Sequence, residues 1–519
     1  MGAACGSSSQ KSVGAKGSSD PGTLSYSDTK LLESKRSFQK RFSDQFKNSS
    51  LVVLDAPWRS STSREDIDQL YKFTEVIGEG FSGKVTKAIL RTYPKKVYAV
   101  KSIRKSTNSD KQSRYFRTEL DILKRLDHPN IVQFFECYQD QKHYHLVLEL
   151  CEGSDLVKLV ETRRGLPEHL LKKFFFQAVY AINYLHYVGI VHRDIKLDNF
   201  LLSTRDEDSA NLKLIDFGFA RSFRDYQLTS QVGTPWYVAP EVIKKVTPYS
   251  QKCDNWSLGV LLYMMMFAEP PFKGRSNGEV FLNIKEEELD FTQQKFKAFN
   301  PDLLAILTGL LKKDPDQRMS LSQVLQSRWF DSKILELHGG WSSSLVKTLI
   351  KRMKTIKKAG PFRREVMKMM VKVFSDDPTV IELGKIFQCC DCVNNGVITQ
   401  FELKLLFEEA GVVYTEPEIL KIIDNFFLQA DNVISYTEFI AGMVDKSFFT
   451  NSDRLKMTFE RFDIDKSGFI TRINIRDCFE RFGYSISEEL SKCLIGEFDM
   501  CRDGVVSFEE FIKMMKNKD

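Results

Sequence analysis

His192-Arg193-Asp194-Ile195-Lys196-Leu197-Asp198-Asn199 sets a carboxylate, an ammonium and a carboxamide close together on one loop. Downstream, Asp216-Phe217-Gly218 follows the mostly apolar, strand-like Leu212–Ile215, and Ala239-Pro240-Glu241 lies a short segment further on. Phosphoryl transfer requires little covalent chemistry from a protein. It requires ligands for Mg²⁺, a cation on the phosphates, and a carboxylate to orient the attacking hydroxyl. The loop and the Asp216 motif supply the metal ligands and the carboxylate, and a segment upstream supplies the cation.

That segment is Gly78-Glu79-Gly80-Phe81-Ser82-Gly83-Lys84-Val85, followed by the strand-like Val97-Tyr98-Ala99-Val100-Lys101. Glycines at this spacing let backbone N–H groups approach phosphates with no Cβ in the way. Alone, the pattern is as readily a plain glycine-rich turn, and a dinucleotide fold also uses three glycines. In that fold the glycines open a helix, whereas Lys84–Ile89 continues as a strand. Lys101, 18 residues past Gly83, suits a neighbouring strand that reaches the phosphates. One such motif arises by chance; four in this order do not.

Over roughly Phe73–Phe330 the sequence resembles a eukaryotic-type protein kinase. The resemblance implies an α+β, bilobal fold with ATP between a small β-rich lobe and a larger helical one. Carried over residue by residue, it implies that Ile77, Gly78, Gly80, Gly83, Val85 and Ala99 enclose the nucleotide and that Lys101 holds its phosphates. Glu119 is the implied ion-pair partner of Lys101; the nearby Asp121 is shorter and points to a different helix face. Asp194 becomes the catalytic carboxylate, and Lys196 beside it resembles the serine/threonine class. Asn199 and Asp216 become the Mg²⁺ ligands. Leu146–Cys151 reads as the hinge against adenine, with Leu148 as a bulky gatekeeper and Glu149 and Cys151 at the nucleotide. Asp155 and Asp198 match positions where related kinases use Glu to read a basic residue upstream of the acceptor Ser/Thr. The alternative for this pair is solvated or ribose-binding carboxylates. Thr229, Ser230 and Thr234 lie between the Asp216 and Glu241 motifs. Arg193 could clamp a phosphate on one of them, while the family arrangement packs Thr234 against Asp194 and Lys196.

The 519 residues exceed one ordinary core, and 42% hydrophobic with 28% charged residues excludes a mostly disordered chain. The greasy run Leu258–Phe267 is shorter than the ~18 apolar residues that cross a bilayer. Ten scattered cysteines and no cleavable secretory signal fit a reducing, cytoplasmic setting. The net charge of +6 hides an asymmetry: residues 375–519 hold 16 Lys+Arg against 27 Asp+Glu, so they carry −11 and the rest +17. The basic charge is spread out along the chain apart from one dense stretch, which argues against nucleic acid.

The acidic part repeats at intervals of 36 residues, with loops opening at 391, 427, 463 and 499. Calcium loops place oxygen ligands at positions 1, 3, 5, 7, 9 and 12 and a glycine at 6. Asp463, Asp465 and Ser467 make a complete front half, but the last position is Asn474. Asp499, Asp503 and Glu510 form the fourth loop with Cys501 in an oxygen place; Asp391, Asn395 and Glu402 form the first with Val393 in the third place. The second keeps Asp431 and Glu438 but opens on Phe427, and is expected to be empty. The unit is EF-hand-like; at least one Ca²⁺ site is expected from it, in the fourth or third loop ahead of the first, and the competing reading is a fixed, calcium-independent helix clamp. Cys389, Cys390 and Cys392 straddle a helix end with no CxxC partner and read as ordinary thiols.

Between Lys347 and Lys372 stand ten basic residues and one acid, Glu365, with Leu345, Leu349, Ile350, Met353 and Ile356 at helical spacing. A basic amphipathic helix suits an acidic EF-hand groove; an anionic membrane or plain solvent are the other possible faces, and tethering favours the groove. The order kinase, basic helix, four EF-hand-like units resembles a calcium-dependent protein kinase. That resemblance implies a junction helix that blocks the kinase without calcium and is withdrawn when the module closes on it. The expected divisions are a flexible arm at 1–70, a kinase domain at 71–330, an autoinhibitory junction at 331–374 and an EF-hand module at 375–519. Met1-Gly2-Ala3-Ala4-Cys5 resembles an N-myristoylation signal with a palmitoylation cysteine, which implies a peripheral membrane anchor. A calcium-sensing scaffold with a kinase fold that only binds partners is the alternative from another class.

Overall fold

Three strands rich in β-branched and aromatic residues, Tyr71–Gly80 (β1), Gly83–Leu90 (β2) and Val97–Arg104 (β3), join Phe134–Gln139 (β4) and His143–Glu149 (β5). Together they form one antiparallel sheet in the order β1-β2-β3-β5-β4. The computed structural model describes residues 64–516, apart from 81–82, 106–109, 224–227, 229–231, 246–247, 331–342, 358, 427–432, 483–485 and 497. Gly2, Cys5, Thr229, Ser230, Phe427 and Asp431 lie outside the described residues. Residues 64–70, grouped with the arm in the sequence, form a helix, Arg64–Leu70 (α1), and Ile67 is buried in the same apolar layer as Tyr71 and Tyr138. One helix, Asp110–Arg125 (α2), follows β3 and carries Glu119.

The larger lobe is helical around Leu156–Arg163 (α3), Glu168–Tyr187 (α4) and Lys252–Phe267 (α5). α5 contains the greasy run and is apolar on all sides because the lobe surrounds it, with Trp256, Leu258, Val260 and Leu261 fully buried. Among the described residues no helix is long and apolar enough to cross a membrane.

The basic connector forms two helices, Ser343–Thr355 (α6) and Pro361–Val373 (α7). Gly360-Pro361 separates them: proline cannot continue a helix but fits its first position. Beyond lie the helix–loop–helix units. Val397–Thr399 pairs with Val433–Ser435, setting Ile398 opposite Ile434, and Phe469–Ile470 pairs with Val506–Ser507, setting Ile470 opposite Val506. Short antiparallel bridges of this kind are what paired calcium-type loops form.

A second apolar core runs without a break from the back of the sheet (Tyr71, Val100, Phe135, Tyr138) through Leu349, Met353, Phe362 and Val366 into Phe387, Phe439, Phe459 and Phe511. Small lobe, connector and EF-hand module therefore bury their apolar surface jointly. Acidic and basic groups follow the same seam, with Arg352 on Asp445 at 2.6 Å and Lys354 on Glu418 at 3.5 Å. Phe362 is fully buried, 5.3 Å from the Phe462 ring and 5.6 Å from that of Phe498.

Candidate active site

Register in the sheet aims Lys101 inward: on β3 it lies opposite Val85 of β2 and Leu146 of β5. Its Nζ meets Glu119 Oε1 at 2.6 Å and Asp216 Oδ1 at 3.2 Å. Burial opposes the charge on Lys101, but the two carboxylates outweigh it and raise its pKa, so the ammonium persists. The same ammonium holds the Asp216 carboxyl below its ordinary range against the opposing effect of burial, helped by the Gly218 amide. Asp121 instead pairs with Lys124, one turn along the same helix. Gly83 closes the β1–β2 loop at φ +130, where a Cβ would meet the Ser102 carbonyl oxygen at 2.5 Å, so only glycine fits. Ile77 is half exposed on β1, while Ala99 is buried on β3.

The catalytic loop is held in a demanding conformation. Arg193 has φ 68, an unusual value for a side chain with a Cβ. Asp254 of α5 fastens it: Oδ1 accepts from the Arg193 amide and Oδ2 from the His192 amide, both at 2.8 Å. His186 Nε2 lies 2.9 Å from the same Oδ2. Asp194 then faces three partners: the Thr234 hydroxyl donates to Oδ1 at 3.0 Å, Lys196 Nζ sits 2.8 Å from Oδ2, and Asn199 Nδ2 donates to Oδ2 at 3.2 Å. Lys196 also donates to the Thr234 hydroxyl oxygen at 3.2 Å. The Ile215 amide donates to the Asn199 carbonyl at 3.0 Å, which ties the loop to the neighbour of Asp216. Lys101, Asp194, Asn199 and Asp216 are thus brought together.

Other sequence-marked residues fall differently. Glu149 and Cys151 lie at the end of β5, but the Glu149 carboxylate is held by Lys213 at 2.8 Å and by the Gln133 amide at 3.1 Å. Burial pushes the Cys151 thiol up, so it is a neutral, apolar lining group. Asp155 is the N-cap of α3, its Oδ1 accepting from the Lys158 amide at 2.6 Å. That bond engages one carboxylate oxygen and fixes the direction of the other. Asp155→Ala is expected to lower stability by about 1 kcal/mol, as denaturant unfolding would measure. Arg193 donates to the Phe219 carbonyl from Nε at 2.9 Å and Nη2 at 2.7 Å. Glu241 forms a buried bidentate pair with Arg318, at 2.7 and 2.9 Å.

The four loops part company in their surroundings. In the first, Asp391 is fully buried and Tyr180 of α4 donates its hydroxyl to Oδ2 at 2.7 Å. Asn183 donates to the Asn394 carbonyl at 2.7 Å, and Gly396 sits at φ +81, where an added Cβ would run into the Tyr184 ring and His128. Burial pushes the Asp391 and Glu402 carboxyls up, and the Asp391 charge raises Glu402 further. The large lobe thus covers the loop that carries Asp391, Asn395 and Glu402. In the fourth loop Asp499 accepts from the Asp503 and Gly504 amides, and Asp503 is exposed. Burial opposes ionisation of Glu510, yet the Ser507 and Cys501 amides and the Ser507 hydroxyl bring its carboxyl down to about 2. The third loop is equally open at Asp465 and Ser467, while Asn474 caps its own helix through Thr471. In the second, Glu438 lies 4.0 Å from Lys368 of α7.

Sequence reading missed the groups that join the module to the small lobe. Arg461 Nη1 meets Glu136 Oε1 at 2.9 Å and Nη2 donates to the Tyr98 hydroxyl at 2.7 Å. Tyr71 and Tyr138 donate to Glu136 Oε2 at 2.9 and 2.7 Å. Asp254 was missed as well; its signal is a lone acid at the head of an apolar run.

The fold and this cleft define a protein kinase. In agreement, residues 71–330 match the protein kinase domain and residues 452–516 the EF-hand domain pair. The chain is 30% identical to calcium-dependent protein kinase 19 of Arabidopsis thaliana, over 87% of this chain and 81% of that relative. Identity is also 30% to calcium-dependent protein kinase 2 of Zea mays, covering 87% of each chain, and to calcium-dependent protein kinase 5 of Plasmodium falciparum, covering 87% and 79%. The chain belongs to the calcium-dependent protein kinase family. It is a serine/threonine protein kinase with an attached EF-hand module.

Proposed function

We propose that this chain transfers the γ-phosphoryl group of ATP to Ser or Thr hydroxyls of proteins under the control of calcium. The observation that carries the reading is the linked set Glu119–Lys101–Asp216 facing Asp194, Lys196 and Asn199. Lys101 steadies the phosphates of the bound nucleotide. Asp194 orients the acceptor hydroxyl and takes its proton as the oxygen attacks the γ-phosphorus and the bond to the departing ADP oxygen breaks. Thr234 and Lys196 keep that carboxylate in place. Asn199, which turns its amide nitrogen toward Asp194, and Asp216 offer hard oxygen donors suited to Mg²⁺. When bound, that ion neutralises charge on the phosphates.

Calcium regulation is assigned to the fourth loop (Asp499, Asp503, Glu510) and the third (Asp463, Asp465, Ser467), coupled through the bridge between Ile470 and Val506. The first loop serves as a calcium-independent joint to the large lobe. α6 and α7, packed against the module, represent the released position of an autoinhibitory junction, and its basic face is what competes for the cleft when calcium is absent. Calorimetric calcium titration of the full chain tests the assignment. Glu510→Gln is expected to weaken the tightest calcium event at least tenfold, because a bidentate anion is lost, and Asp391→Asn to leave it unchanged. Equal loss in both variants would overturn it.

Attachment to membranes through Gly2 and Cys5 is supported by the sequence pattern and the paired-signal requirement for stable anchoring. Gly2→Ala is expected to move the protein from the membrane to the soluble fraction, and unchanged partition would exclude the anchor.

A further inference from the structure

We propose that Asp140, His143 and His145, at the β4–β5 turn of the small lobe, bind a divalent ion of the zinc type. The turn is built for three converging donors. Asp140 closes it, its amide donating to the His143 carbonyl at 2.9 Å, and its Oδ1 accepts from the Lys142 and His143 amides at 2.6 Å each. This fixes the carboxylate with Oδ2 toward the two imidazoles. His143 and His145 stand two residues apart on β5, so they project from the same face. Nε2 of His145 lies 3.2 Å from Oδ2 and Nδ1 of His143 lies 3.6 Å from it, and all three donor atoms fall within 4.8 Å of one another. Zinc–ligand bonds of roughly 2.0–2.1 Å place the donors of a tetrahedral centre about 3.3 Å apart, so small ring rotations close the set.

Three further features fit a metal centre. The Ser102 hydroxyl on β3 sits 2.9 Å from His145 Nδ1, the outer hydrogen bond that orients a ligating imidazole. Asp140 and His145 are buried, whereas the His143 side chain is 32% exposed, which leaves one side open for entry and for a water ligand. Two imidazoles and one carboxylate suit Zn²⁺, Co²⁺ or Ni²⁺ and disfavour Ca²⁺ and Mg²⁺, which prefer all-oxygen shells. One cation opposes binding: Lys105 Nζ donates to the Asp140 carbonyl at 2.6 Å and to Gln139 Oε1 at 2.9 Å, and lies 4.7 Å from the Tyr144 ring centre. An ion here cross-links β5 and the turn beside the end of β3, the strand that carries Lys101, and raises the melting temperature of the small lobe.

The test uses the full chain, stripped with chelator and then saturated with calcium to occupy the EF-hand loops, and titrated with Co²⁺. The expected result is one equivalent of a visible ligand-field band, displaced by Zn²⁺ and lost in His143→Ala. His143→Ala, at the half-exposed position, should unfold normally without metal, so loss of the band reads binding and not folding. Cys389→Ser with Cys392→Ser should leave the band intact. Absence of the band in the parent chain, its persistence in His143→Ala, or a near-ultraviolet thiolate-to-cobalt transition that vanishes with the two cysteines would each overturn the proposal. In those cases the imidazoles serve only as hydrogen-bond partners of Asp140.

Discussion

Asp194→Asn is expected to slow phosphate transfer by about 10²–10⁴-fold, the range that a lost general base costs, with little change in KM for ATP. The substitution is nearly isosteric. A carboxamide can turn its oxygen to the Oδ2 position, where Lys196 and Asn199 donate, and its nitrogen to the Thr234 hydroxyl oxygen, now 3.0 Å from Oδ1, so the loop keeps its geometry. Two things change. The proton of the acceptor hydroxyl has no base to receive it, and Lys196, 2.8 Å from Oδ2, loses its counter-charge. Nucleotide binding rests on Lys101 and its partners Glu119 and Asp216, which the substitution leaves alone. The loss should therefore fall on kcat. Steady-state transfer to a peptide measures it. Unchanged kcat would mean that Asp194 does not touch the reacting hydroxyl, whereas no transfer by the parent chain would favour a scaffold that merely keeps the kinase fold.

Arg461→Ala is expected to lower the stability of the docked assembly by about 3–5 kcal/mol, the cost of stranding one member of a buried ion pair. Both partners are 8% exposed in their side chains. Removing the guanidinium leaves Glu136 buried with only the hydroxyls of Tyr71 and Tyr138, and leaves the Tyr98 hydroxyl without its donor. Arg461 also stands two residues before Asp463, where the third loop opens. Loosening it should thus weaken calcium stimulation of the kinase and, by reciprocity, the apparent calcium affinity. Denaturant unfolding and a calcium activation curve measure the two effects. Arg461→Met combined with Glu136→Gln should recover much of the lost stability, because no buried charge is then stranded. A single variant within about 0.5 kcal/mol of the parent, with a superimposable activation curve, would show that the module and small lobe are not coupled here.

These two outcomes differ in how far the sequence foretells them. Asp194, Lys196 and Asn199 lie within one loop, so their chemistry is visible in the order of residues. Lys101 and Glu119 are 18 residues apart on a strand and the next helix, and only a known arrangement pairs them. Arg461 and Glu136 are separated by 325 positions, and Tyr180 and Asp391 by 211; no local periodicity encodes such contacts. The loops make the same point through electrostatics. Asp391–Glu402 and Asp499–Glu510 read alike as ligand patterns, yet α4 buries the first pair and pushes its carboxyls up, while the Glu510 carboxyl is drawn down to about 2. Asp155 carries a second legible signal, since an Asp directly before the largely apolar Leu156–Val160 also reads as an N-cap. The connector shows the reverse case: Gly360-Pro361 announces a helix break, and the basic stripe with buried Leu349, Ile350 and Met353 announces the groove it fills.

The central claim is that one cleft, assembled from Lys101, Asp194, Asn199 and Asp216, performs phosphate transfer that the EF-hand module governs. Transfer of labelled γ-phosphate from ATP to a serine peptide, by the full chain with calcium raised from chelated to saturating, tests it most directly. The account predicts incorporation that climbs with calcium and disappears at every calcium level in Asp194→Asn. Incorporation that ignores both calcium and Asp194, or none under any condition, would contradict it.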